Sequence, residues 1–316
     1  MRILFAGSPA IAVPSLEAVA SMSGEGFTLA GLLTKADTPK GRSGKPEPTE
    51  CALAAAAHSI PTLKPEKLDS AAREQTAALN ADLLVSFAYG KIFGPQFLAL
   101  FPLGGINIHP SLLPKYRGAA PIPAAILNRE TETGITIQRL AAEMDSGDIL
   151  MQETMSLNGR ETTASLTDIM AKKAAQLLPA ALRGIAGGTL QAAPQDHAAA
   201  TYCSLIEKEA GLIDWNQSAA AIDAQIRAFD PWPLSWTTHG ELQLFILRAE
   251  ALKANNAPAL PGQVLGKDKE KGILIQTGDG ILAVSELQYQ TKRALNWKDF
   301  LNGARNFMDA KLGSNS

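Results

Sequence analysis

The stretch RILFAGSPAIAVPSLEAVA (2–20), followed after a short polar break by FTLAGLLT (27–34), decides the fold. After Arg2, ILFAG is an apolar run ending on a glycine, and RILFAG reads as a strand. IAVPSLEAVA (11–20) changes to helical spacing, and FTLAGLLT reads as a second strand. A β-α-β opening calls for a parallel sheet with helices on its faces. The turn after the first strand is GSPA, not GxGxxG. A dinucleotide fingerprint is therefore absent, and neither NAD nor FAD is expected.

The pattern continues outward from this unit. Helices are expected near 50–58 and 70–79. ADLLVSFAYG (81–90) reads as a fully buried strand ending in an Ala-Tyr-Gly turn, and GGINIH (104–109) as the next strand. GITIQRL (134–140) and GDILMQETM (147–155) read as a closing antiparallel pair. Residues 161–188 form one long amphipathic helix with a Thr cap candidate and glycines at its end. Composition changes at about residue 188, and 189–206 reads as an extended linker. Beyond it, 218–229 is helix-like, and the runs LQLFILRAEAL, GQVLGK, GILIQT and GILAVSELQ are strand-like with glycine turns, the signature of a small β-barrel. A terminal helix is expected over 298–308. The plan is an α/β domain over 1–188, a linker over 189–206 and a smaller β domain over 207–316.

With 316 residues, 46% of them hydrophobic, the chain can build two cores. A formal net charge of −2 gives no global basic field, so a polyanion would have to be held by local patches. From 207 to 316 there are 12 Lys+Arg against 13 Asp+Glu, so the second domain offers no positive excess. One local patch is the loop 35–49, where Lys35, Lys40, Arg42 and Lys45 face Asp37 and Glu47 in number. It reads either as a solvated surface loop or as an arm that touches phosphates. The two cysteines, Cys51 and Cys203, lie far apart, which fits a reducing compartment. The four histidines show no HxxxH or HExxH spacing, and no metal site is expected. The first strand begins at Arg2, leaving no room for a signal peptide, and no apolar run is long enough to span a membrane. A cytoplasmic setting is expected.

INIHPSLLPKYRG (106–118) carries the chemistry. Side chains alternate along a strand, so Ile106 and Ile108 share one face and Asn107 and His109 the other. Pro110 then ends the strand. In open α/β sheets, ligands bind beyond the carboxyl ends of the strands, where Asn107, His109 and the Ala88-Tyr89-Gly90 turn all sit. Asp145 lies in the turn MDSGD. An amide, an imidazole and a carboxylate together suit acyl-type chemistry. Ser111 lacks a GxSxG elbow, which favours direct transfer to an incoming nucleophile. The residues alone also fit a satisfied polar pair and a turn-shaping aspartate.

INIHPSLLPKYRGAAPI resembles the signature of the folate-dependent formyltransferases, and MDSGDIL (144–150) their paired-aspartate element. RILFAGSPAIAVPSLEA and VSFAYGKI (85–92) are similar to the family's first β-α unit and its Ala-Tyr-Gly loop. IDWNQSAAAIDAQIRAFDPWPLSW (213–236) and GDGILAVSELQ (278–288) resemble the C-terminal domain of the members that act on methionyl-tRNA. The resemblance implies a Rossmann-like formyltransferase domain joined to an OB-like barrel. It implies transfer of the formyl group of 10-formyltetrahydrofolate to the α-amine of methionine on initiator methionyl-tRNA. Asn107, His109 and Asp145 match the catalytic trio. Ser111, Leu112, Leu113 and Pro114, with Tyr89 and Gly90, match folate contacts. Arg42, with Lys40 and Lys45, matches the basic loop near the tRNA acceptor end. A monomer without metal or NAD is expected. Pro110 stands where many relatives have glycine, and Lys115-Tyr116 replaces Arg-Trp in some. An amino-sugar nucleotide is the alternative acceptor.

Overall fold

The computed structural model describes residues 1–39, 44–253, 259–304 and 306–313. The described chain divides into two compact units. The first contains Met1–Pro121, Glu132–Ser156 and Leu166–Ser204, and the second contains Ile122–Thr131, Leu157–Ser165 and Leu205–Ser316.

The first unit is built on β1 (Arg2–Gly7), β2 (Thr28–Leu33), β3 (Thr62–Leu63), β4 (Leu83–Phe87), β5 (Gly105–His109), β7 (Glu132–Arg139) and β8 (Ile149–Ser156). Short β6 (Arg117–Gly118) and β9 (Tyr202–Cys203) pair with each other beside it. The seven long-sheet strands run β8-β7-β5-β4-β1-β2-β3. The first five strands in sequence are parallel, β7 adds antiparallel to β5, and β8 adds antiparallel to β7. Strand order reverses between β1 and β4, the switch point where such sheets open a crevice. β4 (LLVSF) is buried along its whole length, as a strand covered on both faces must be.

Helix starts follow local chemistry. Thr49 accepts from Ala52 N at 3.1 Å and opens Glu50–Ala57. Asp69 does the same for Ser70–Ala77 at 3.1 Å. Thr162 and Ser165 exchange side-chain to main-chain bonds at the head of Thr163–Ala186, a reciprocal cap. In that helix Leu166, Met170, Ala174, Leu178 and Leu182 are buried, a stripe at helical spacing.

The stretch 189–206, read as an extended linker, belongs to the first unit as far as Ser204. Ala193 exchanges main-chain bonds with Ile149, Gln195 is only 5% exposed, and β9 pairs in parallel with β6. Small and polar residues here serve close packing and buried hydrogen bonds, which composition cannot distinguish from looseness.

The second unit holds the antiparallel strands β10 (Ser235–His239), β11 (Leu242–Leu252), β12 (Val264–Asp268), β13 (Gly272–Gln276) and β14 (Ile281–Tyr289). They run β10-β11-β14-β13-β12, with β15 (Leu295–Asn296) paired to β14. The helix Ala219–Ala228, capped by Ser218, contributes Ile222 and Ile226 to a core with Leu244, Ile246 and Val284. The expected terminal helix is shorter: it spans Trp297–Gly303, and a separate 3-10 turn follows at Phe307–Asp309. Phe307 is fully buried and stacks edge-on to Phe300 at 4.9 Å. This packing is local to the two rings and does not need a continuous helix.

Candidate active site

Asn107 and His109 leave the end of β5 on one face, and the carboxylate of Asp145 lies between them. Asn107 Nδ2 donates to Asp145 Oδ1 at 3.3 Å. His109 Nδ1 lies 3.6 Å from Asp145 Oδ2. The main-chain N–H of Gly118 donates to Oδ2 at 2.9 Å, and Gln138 Nε2 donates to Oδ1 at 2.9 Å. The carboxylate is thus held by three donors and faces the imidazole.

Local backbone makes this possible. Asp145 has φ 52°, a left-handed turn that aspartate tolerates better than most residues. Tyr116, at φ 60°, turns its carbonyl to accept from His109 Nε2 at 2.8 Å. Ala88, at the end of β4, also has positive φ. Left-handed residues other than glycine cost about 1–3 kcal/mol each and persist where surrounding structure fixes them. Gly118 cannot carry a side chain: its φ is +117°, and a Cβ would stand 2.2 Å from the Cys203 carbonyl oxygen.

A carbonyl only accepts, so the bond to Tyr116 places a proton on His109 Nε2. Burial pushes the His109 imidazole below its usual value and outweighs the Asp145 charge and the Tyr116 carbonyl, which favour the cation. The neutral ring therefore turns an unprotonated Nδ1 toward a carboxylate. Two acceptors 3.6 Å apart form a seat for one N–H donor. That arrangement can receive an ammonium group and take its proton.

The SLLP segment is fixed mainly through its main chain. Ser111 is fully buried, and its Oγ donates to Lys115 O at 2.6 Å, closing the turn. Thr136 Oγ1 donates to Ser111 O at 2.7 Å and accepts from Leu113 N at 3.2 Å. Gln152 Nε2 donates to Leu113 O at 3.0 Å. Leu112 and Pro114 are half-buried, while Leu113 is buried. The Tyr89 ring turns inward: it is 1% exposed and stacks on Phe93 at 5.3 Å, in a cluster with Phe97 and Phe101. Its hydroxyl has no partner among the described residues, and burial pushes its pKa up to about 12. Gly90, at φ +78°, is exposed. Of the basic loop, Lys45 is exposed, while Lys40 and Arg42 lie outside the described residues. Among the described residues no group of His, Cys, Asp and Glu could hold a metal ion. No described helix is long and apolar enough to cross a membrane.

Sequence reasoning missed Gln138, Gln195, Arg117, Thr136 and Gln152. A signal existed for Gln138: β7 pairs antiparallel with β5 so that Gln138 stands opposite Asn107. Knowing the register would have put both side chains on one face. Gln195 carried no signal, because it lies in the segment read as a linker.

Comparison with known proteins agrees with this architecture. The family profile described as Formyl transferase matches residues 1–182, and that described as Formyl transferase, C-terminal domain, matches 205–305. A methionyl-tRNA formyltransferase of Treponema denticola is 49% identical over 98% of both chains. One of Chloroflexus aggregans is 41% identical, covering 96% of this chain and 97% of the relative. Among solved structures, the sugar 3N-formyl transferase WlaRD has a TM-score of 0.66 at 20% identity, over 93% of this chain and 99% of that one. HypX from Aquifex aeolicus, in complex with tetrahydrofolic acid, has a TM-score of 0.64 at 17% identity, over 98% of this chain and 47% of that one. At such identities these two likenesses speak to the fold alone. With both domain profiles matched in order and relatives of high identity along its whole length, the chain belongs to the formyl transferase family.

Proposed function

We infer that this enzyme transfers the formyl group of 10-formyltetrahydrofolate to the α-amino group of methionine on initiator methionyl-tRNA. The observation that carries the chemistry is the convergence of Asn107 and His109 on the Asp145 carboxylate at the carboxyl edge of the sheet. The acceptor is supported by the full-length relatives, which are methionyl-tRNA formyltransferases at 38–49% identity. The amino-sugar alternative has only distant fold likeness at 20–21% identity behind it.

In this reading the methionyl amine arrives as an ammonium and sits between His109 Nδ1 and Asp145 Oδ2. It gives up a proton to the imidazole, whose charge Asp145 then stabilises. The neutral amine attacks the formyl carbon. Asn107 Nδ2 spends one N–H on Asp145, and its second N–H meets the developing oxyanion; one such donor is worth about 10²–10³ in rate. The carbon–N10 bond breaks as the oxyanion collapses, the proton held at His109 passes to N10, and the attacking nitrogen releases its second proton to the freed His109 Nδ1, leaving a neutral formamide. Two substrates must be held together, so positioning supplies much of the acceleration.

The folate would lie against the half-buried Leu112 and Pro114, the main chain at Ser111 and Leu113, and the backbone of the Tyr89-Gly90 turn. The basic run with Lys40, Arg42 and Lys45 would meet phosphates of the acceptor end. Charged tRNA is used in the cytoplasm, which is the setting this acceptor requires. The trio comes from one chain, so a monomer suffices.

The test is to mix purified protein with 10-formyltetrahydrofolate and methionyl-tRNA and follow formylmethionyl-tRNA. Rapid product that is lost with His109→Ala is expected. Formyl transfer to a nucleotide-linked amino sugar instead would overturn the acceptor.

A further inference from the structure

Arg117 carries a buried charge that the reaction described above does not use. It is 2% exposed, and no carboxylate among the described residues pairs with it. A buried guanidinium needs compensation. Its Nε and Nη2 both donate to Gln195 Oε1, at 3.1 and 2.7 Å. Its remaining side-chain partners are His197 Nδ1 at 3.1 Å and Tyr202 Oη at 3.5 Å.

A guanidinium can only donate, so it fixes which end of the Gln195 amide is oxygen. Gln195 Nε2 must then point away from Arg117. It donates to the main-chain carbonyls of Asp145 at 2.9 Å and Gly147 at 2.6 Å, and faces Gln138 Oε1 at 3.2 Å. That contact fixes the second amide in turn. Gln138 Nε2 is left to donate to Asp145 Oδ1 at 2.9 Å. The order Arg117, Gln195, Gln138, Asp145 is therefore a chain of donors with one direction, running from a buried cation to the carboxylate beside His109. Gln195 and the Gln138 side chain are almost fully buried, so water does not compete for these bonds.

We propose that Arg117, Gln195 and Gln138 are positioning residues for the transfer reaction: they hold the Asp145 turn and aim its carboxylate at His109. The proposal rests on the reading of Asp145 as part of the catalytic trio. Gln195 reaches the Asp145 main chain directly and its carboxylate through Gln138, from a segment far away in sequence. Gly147 lets the turn press against β7, since a Cβ there would stand 2.0 Å from the Arg139 carbonyl oxygen.

The test is a kinetic double-mutant series on the full chain, with kcat and KM for both substrates and the thermal midpoint read for each variant. Gln195→Leu and Gln138→Met should each lower kcat by about 10–100-fold with KM changed less than about threefold, since aim is lost and binding is kept. Added to Asp145→Asn, either substitution should change kcat by less than about twofold, because there is no carboxylate left to aim. Gln138→Met leaves the main-chain bonds of the turn intact, so it serves if Gln195→Leu does not fold. A lower melting temperature with unchanged kcat, or a kcat loss that multiplies fully with Asp145→Asn, would reduce the chain to a structural strut and overturn the proposal. Full turnover by Asp145→Asn alone would instead overturn the catalytic reading on which it rests.

Discussion

Two neighbouring strand ends at the same sheet edge behave in opposite ways. At the end of β5, the half-buried Asn107 and the buried His109 turn their polar atoms toward one carboxylate. At the end of β4, one strand away, Tyr89 turns its ring into a stack with Phe93, Phe97 and Phe101 and leaves its hydroxyl without a partner among the described residues. Both ends match family motifs, and both sit where an α/β sheet binds ligands. The difference teaches that such a motif marks a position on the chain, while the direction of the side chain is decided by what fills the space on either side. In the proposed reaction one end would supply the chemistry, and the other supplies a rigid floor.

This contrast can be broken by mutation. The largest effect is expected at the floor. Tyr89→Ala should cost about 3–5 kcal/mol of stability, as for other buried aromatics, read from urea unfolding. Asn107→Ala should do the reverse: about 10²–10³ less turnover, with an unfolding midpoint close to that of the parent. If Asn107→Ala keeps its turnover, or Tyr89→Ala keeps its stability, the two ends have been assigned the wrong way round.

His109 predicts a pH effect of known sign. Burial lowers its pKa in the fold, so the unfolded chain takes up the proton first. Its contribution to stability is complete above the unfolded value of about 6.5 and is lost as pH falls below it. Thermal unfolding from pH 7.5 to 5 should therefore fall more steeply for the parent than for His109→Gln. Turnover should hold to a pH below the ordinary histidine range, because the neutral ring is the working base. An equal pH slope in the two proteins would contradict a buried neutral imidazole.

Smaller effects sharpen the picture. Lys45→Ala should weaken tRNA binding and reduce its salt slope by about one, as expected for one phosphate contact. Tyr89→Phe removes an unpartnered buried hydroxyl and should be neutral or stabilising by about 1 kcal/mol, with kcat unchanged. A large kcat loss for Tyr89→Phe would mean that the hydroxyl reaches the folate.

Much of this molecule was legible in its sequence, for identifiable reasons. The short, mostly apolar runs of β1 and β4 alternate with helical spacing in a β-α-β order, which called for a parallel sheet. Strand alternation put Asn107 and His109 together, and the resemblance supplied Asp145. Gln138 needed the register of β7 against β5, which depends on long-range pairing. Gln195 was illegible because a segment of small and polar residues looks the same whether solvated or buried. The terminal helix was read too long because the aromatic pair Phe300 and Phe307 is held by ring packing and not by helical continuity.

The central claim is that the Asp145 carboxylate, aimed at His109, makes the transfer possible. Asp145→Asn keeps the shape and removes the charge. The measurement is single-turnover formylation of methionyl-tRNA by this variant, with both substrates saturating. A rate lower by about 10²–10³ or more, with normal unfolding and unchanged substrate binding, is the predicted result. A rate within a fewfold of the parent would contradict the account.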